Sequence, residues 1–137
     1  MDKDNNRSGN IAAFVCLAAG IFLAIGVRLL FHACIHDDGT QGSCHWAQQM
    51  TGAMGILIAV MSFLMILFRE RQAKAAISVC VLCAGILTAL IPGSIIRLCM
   101  MPDMSCNAMM KPWTIAISIV ISLAGLAGIF LNMKKKA

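Results

Sequence analysis

A chain of 137 residues that is 60% hydrophobic and only 12% charged, with a mean hydropathy of +0.85, is one domain by length. It carries too little polar surface to coat a water-soluble globule. Its net charge of +5 comes from Lys and Arg at the ends of apolar runs, not from a basic stripe interleaved with aromatics, and there is no Tyr. Nucleic acid is therefore not an expected partner; a bilayer is.

In chain order, residues 1–10 (MDKDNNRSGN) read as a short disordered lead. The first apolar run, 11–30, is long enough as a helix to cross about 30 Å of hydrocarbon. Arg28 near its far end can snorkel toward headgroups. The run exceeds the roughly 7–15 apolar residues of a cleaved signal core, so an uncleaved span is expected. A polar stretch follows over 32–49, then a second span over about 50–68 and a basic turn, Arg69-Glu70-Arg71-Gln72-Ala73-Lys74. The third span covers about 75–96 and contains Pro92-Gly93, expected to kink its end. A second polar stretch, 97–112, leads to the fourth span, 113–133, and a basic tail, 134–137.

Charge sets the expected orientation. Lys3, Arg7, Arg69, Arg71, Lys74, Lys134, Lys135 and Lys136 fall on the side of the termini, against Arg28, Arg97 and Lys111 on the other. The positive-inside rule then puts both termini in the cytoplasm and both cysteine-bearing loops outside. The lysine tail also suits anionic headgroups. The expected fold is all-α: an antiparallel four-transmembrane-helix bundle in a bacterial cell membrane. Small residues recur at four-residue spacing, as Cys16-Gly20-Ala24, Ala76-Cys80-Ala84-Thr88, Ser118-Ser122 and Ala124-Gly128, and Gly52 and Gly55 open the second span. Such stripes let helix backbones approach closely in lipid.

The chemistry-bearing residues concentrate in the two loops. Cys34, Cys44, Cys99 and Cys106 lie on the expected outer side, where an even cysteine set reads as disulfides. Local pairing, Cys34 with Cys44 and Cys99 with Cys106, closes a short loop between adjacent helix ends; pairing between the loops competes with it. The second loop also gathers soft donors, Cys99, Met100, Met101, Met104 and Cys106 with Met109 and Met110 beyond, a set that favours Cu(I). His32, Cys34, His36, Cys44 and His45 add borderline ligands from the first loop, suited to Zn as well. Methionine-rich packing at a membrane surface accounts for the same residues without a metal, and cysteines that bridge cannot also coordinate. Trp46 and Trp113 stand where an interfacial aromatic belt is expected.

Within the spans, Cys80-Val81-Leu82-Cys83 is the one Cys-x-x-Cys. Cys16, Cys80 and Cys83 are all expected to be buried in the spans, Cys80 within the small-residue stripe, and a cysteine buried in apolar surroundings is inert. No ionisable residue falls in the middle of a span, no phosphate loop or paired carboxylates are present, and Pro102-Asp103 reads as a turn.

Four spans with a cysteine pair in each outer loop resemble, in topology, the quinone-linked disulfide-forming membrane proteins of the DsbB type. That resemblance implies a thiol–disulfide oxidoreductase working through Cys34, Cys44, Cys99 and Cys106 with a quinone. The chain departs from that pattern: Cys34 and Cys44 are separated by nine residues rather than two, and no Arg follows Cys44. The motifs Cys44-His45-Trp46, Cys99-Met-Met-Pro-Asp-Met-Ser-Cys106-Asn107 and Lys111-Pro112-Trp113 resemble a family of small bacterial four-helix membrane proteins of unknown function. This second resemblance covers most of the chain and implies an accessory role beside ABC-type exporters, with no catalytic residues to carry over. The function expected is a non-enzymatic interaction subunit acting through a disulfide-stapled outer cap. Its partners would be lipid and another membrane or extracytoplasmic protein, with a homo-oligomer open.

Overall fold

The computed structural model describes residues 2–29, 43–95 and 106–134. They form four long helices, α1 (Asp2–Leu29), α2 (Ser43–Leu67), α3 (Arg71–Leu90) and α4 (Lys111–Met133), with a π-helical turn, Cys106–Met110, leading into α4. No strand occurs among the described residues. Each helix contains an apolar stretch long enough to cross a membrane.

The helices run up and down in a ring in which α1 packs against α2 and α4, and α3 against α4 and, over a shorter seam, α2. One end of the bundle therefore carries the start of α2 and α4, with Trp46 and Trp113, and the other carries the α2–α3 turn and the end of α4. These are called below the tryptophan end and the lysine end.

The four expected spans are present, with shifted bounds. α1 begins at Asp2, so the lead expected to be disordered is helical; no Pro interrupts it. α2 begins at Ser43 rather than about residue 50, which moves Cys44, His45 and Trp46 from a loop onto the first turn of a helix. α3 starts at Arg71 and stops at Leu90, short of the expected 96. Pro92 ends the helix instead of kinking it, because its ring cannot continue the hydrogen-bond ladder. Gly93 then turns the chain with φ 108, a conformation that a side chain resists. Pro112 sits in the first turn of α4, where its missing N–H leaves no bond unmade.

Two seams fix the helix register. Between α1 and α2, a Cβ added at Gly20 would lie 2.9 Å from the Ala59 nitrogen and 3.0 Å from the Gly55 oxygen. One added at Gly55 would lie 2.9 Å from the Ala24 nitrogen and 3.0 Å from the Gly20 oxygen. Gly20-x-x-x-Ala24 and Gly55-x-x-x-Ala59 thus interlock backbone against backbone, the close approach that drives helix pairing in lipid. Between α3 and α4, Gly85 faces Ser122, Gly125 faces the Leu82 backbone and Gly128 faces the Ser78 hydroxyl. Around these seams Cys16, Ile58, Val81, Ala84 and Ile121 form the central core.

The outward faces are large and apolar: Phe14, Phe22, Phe63 and Phe130 are all exposed. The inward faces instead hold hydroxyls, Thr51, Ser62, Ser78, Thr88, Thr114 and Ser118, each at most 1% exposed. Ser62, Ser78 and Thr88 donate to the carbonyls four residues before them, Ile58, Lys74 and Ala84, at 2.8, 2.8 and 2.7 Å, so these hydroxyls are satisfied within their own helices. This inside-out polarity is what lipid demands and water would forbid.

Candidate functional site

The Gly20–Gly55 contact sets α2 beside α1 so that the first turns of α2 meet the last turn of α1. Gln48 Nε2 donates to the Val27 carbonyl at 2.8 Å, satisfying one of the acceptors that a helix C-terminus leaves open. One residue on, the exposed Arg28 has no ion-pair or hydrogen-bond partner among the described residues. His45 and Gln49, one turn apart on α2, are joined at 3.1 Å; the amide nitrogen donates to Nε2, which leaves the ring proton of neutral His45 on Nδ1. Arg28, His45, Gln48, Gln49, Ala53 and Ile56 line an open groove of about 460 Å³. Among the described residues its walls grade from one cation and three polar side chains to two apolar ones, with no carboxylate.

Beneath the groove lies a small second core of Leu23, Val27, Ala47 and Met110, each at most 1% exposed. Met110, expected among the soft metal donors, is packed there as a hydrophobic residue, whereas Met109 is exposed. Trp46 and Trp113 are 58% and 52% exposed at the same end, where an interfacial belt was expected to place them.

Of the loop residues expected to carry chemistry, Cys34, His32, His36, Cys99, Met100, Met101 and Met104 lie outside the described residues, and with them both proposed disulfide pairs. Cys44 and Cys106 fall on helical backbone, in α2 and in the π-turn before α4. Among the described residues, no three His, Cys, Asp or Glu side chains come together as a metal site would require.

The small-residue stripe of α3 divides in two. Ala84 and Thr88 point inward, but Ala76, Cys80 and Cys83 are exposed, so Cys80 and Cys83 do not pack in the bundle as expected. The inward face of α3 is instead Lys74, Ser78, Val81, Ala84, Gly85 and Thr88, which repeats every three or four residues from a different starting point. Cys16, by contrast, is buried as expected.

Lys74 is the residue that the sequence most understated. It stands in the basic turn but is 4% exposed, with Nζ donating to Asn10 Oδ1 of α1 at 3.1 Å. Ser78, a turn further along α3, also lies 3.6 Å from Met65 Sδ. Across the α3–α4 seam Gly128 faces Ser78, and a turn beyond it the Asn132 amide is buried with no partner for Nδ2. The lysine end is thus closed by a polar tie between α1 and α3, readable only once α1 is known to be helical through Asn10.

Four apolar helices with polar inner faces and lipid-suited outer ones define a multi-pass helical membrane protein. The chain belongs to the DUF4418 family, a domain of unknown function whose model matches residues 16–131. No curated protein and no solved structure matches it. The matched region takes in the second half of α1, all of α2 and α3 and nearly all of α4, with the groove and both seams.

Proposed function

We propose that the protein is a non-enzymatic accessory subunit that docks a partner membrane protein, as a component of an export complex of the ABC type. The observation that carries this reading is the outward face of α3. Elsewhere the close-approach glycines are used inside the bundle, as at Gly20, Gly55, Gly85 and Gly125, while the exposed faces are mostly bulky, with scattered alanines at Ala18, Ala53, Ala116 and Ala127. Ala76, Cys80 and Cys83 instead leave a shallow, small-residue strip open to the bilayer on α3, whose seam with α2 is the shortest in the ring. A further helix would approach more closely there than over the bulky faces, and van der Waals contact is what lipid leaves to drive such pairing.

With the termini cytoplasmic, as the lysine distribution supports, the strip lies toward the inner leaflet. The loops around Cys34 and Cys99 form an outer cap, stapled by Cys34–Cys44 and Cys99–Cys106, that adds a contact outside the membrane. Oxidative crosslinking in native membranes tests the reading, because Cys80 and Cys83 are already on the strip. A crosslinked adduct of defined mass, lost in the Cys80→Ser, Cys83→Ser variant, is expected. Its mass distinguishes a foreign partner from a second copy of this chain, and a monomer alone, under conditions that crosslink a known helix pair in the same membranes, removes the proposal.

A further inference from the structure

The groove at the tryptophan end has the composition of a lipid site, and we propose that it holds the phosphate headgroup of an anionic, polyol-bearing phospholipid, of the phosphatidylglycerol kind. Three features of the groove carry this. First, Arg28 brings a permanent cation that no described residue neutralises, and a guanidinium binds a phosphate through paired N–H donors. Second, none of the described residues lining the walls is a carboxylate, so none of them would receive the ammonium of a choline or ethanolamine headgroup. Gln49 keeps a second amide N–H beyond its bond to His45, and neutral His45 its Nδ1–H, both suited to phosphate oxygens and hydroxyls. Third, the lining runs from His45 to Ile56, eleven residues or about 16 Å along α2 at 1.5 Å per residue. That is longer than a phosphate needs, and it ends on Ala53 and Ile56, where an acyl chain continues.

A free phosphate ion would use the same donors but not the apolar end of the groove, so the two sources separate experimentally. Trp46 follows His45 in the first turn of α2 and is exposed, which makes it a reporter beside the site. In a Trp113→Phe background, the protein is reconstituted in bilayers that mix phosphatidylcholine with brominated phosphatidylglycerol, or the reverse. Quenching of Trp46 then gives the relative occupancy of the two lipids. The expected preference for phosphatidylglycerol is about fivefold, the worth of one basic residue at a lipid surface. It falls to parity in Arg28→Gln and persists in Arg28→Lys, which keeps the charge. Because Arg28 is exposed, neither change disturbs the core. Equal quenching by both lipids in the parent protein, or a preference that survives Arg28→Gln, overturns the assignment. Equal quenching by both lipids, together with binding of inorganic phosphate by the detergent-solubilised protein that is lost in Arg28→Gln, overturns it in favour of a free anion.

Discussion

Gly55 is the most exacting position in the fold, and its replacement by Ala has a calculable outcome. The new Cβ would sit 2.9 Å from the Ala24 nitrogen, 3.0 Å from the Gly20 oxygen and 3.2 Å from the Ala24 Cα. All three are backbone atoms, so no side chain can swing aside. Ordinary contact begins at 3.4 Å, so α1 and α2 must part locally by about half an ångström. A gap of that size forfeits about a quarter of each dispersion well of about 0.1–0.2 kcal/mol; over roughly twenty-five atom pairs, about half the contacts of one buried leucine, that gives about 1 kcal/mol. The strain that remains brings the loss into the range of about 1–3 kcal/mol seen for overpacked cores. Alanine returns up to about 1 kcal/mol of helix propensity, leaving a net loss of about 1–2 kcal/mol. Gly52→Ala is the control on the same helix, since its Cβ meets nothing within 4 Å; it should be neutral or stabilising by up to about 1 kcal/mol. Unfolding in mixed micelles by titration with dodecyl sulfate, followed by far-UV circular dichroism, measures both. Gly20→Ala should resemble Gly55→Ala, and the double variant should lose less than the sum by about 0.5–1 kcal/mol, because the second methyl enters a space already opened. Equal stability of Gly55→Ala and Gly52→Ala, or strict additivity of the pair, would refute the interlocked seam.

Two further outcomes follow from the same packing. Lys74→Ala should destabilise the bundle by about 1–3 kcal/mol in the same titration, through loss of both the buried stem and the bond to Asn10. Lys74→Met, which keeps the stem, should lose less, and a harmless Lys74→Ala would show that the tie is not made. A membrane-permeable maleimide should modify exposed Cys80 and Cys83 in the folded protein and reach buried Cys16 only after unfolding. Peptide mass mapping reads this, and early modification of Cys16 would contradict its place in the core.

How much of this was legible beforehand differs by level. The four spans were, because a run of some twenty apolar residues leaves a helix as the only way to satisfy the backbone in lipid. The bounds were less so: α1 and α2 continue past the apolar runs that mark them, through Asn10 at one end and His45 at the other, since polar residues end hydropathy without ending a helix. Which face turns inward was least legible. Apolar residues surround every span, so the usual amphipathic signal is absent, and Ala76-Cys80-Ala84-Thr88 read as one stripe although its two halves point in different directions. Lys74 counted as a surface charge until Asn10 was placed beside it. The groove could not be read from the chain at all, because Arg28 and His45 meet only through the α1–α2 register that Gly20 and Gly55 impose.

The reading of the protein as a non-enzymatic subunit turns on the cysteines of the two loops. Acid quenching of cells followed by alkylation and mass spectrometry reports the state of Cys34, Cys44, Cys99 and Cys106 in place. The account predicts that all four are oxidised as two intramolecular bridges, whatever the supply of quinone or copper. A pair that becomes reduced when quinone is withdrawn would make the protein a thiol–disulfide oxidoreductase. Four free thiols that hold Cu(I), and lose it in a Cys99→Ser, Cys106→Ser variant, would make the loops a metal site; either result contradicts the account.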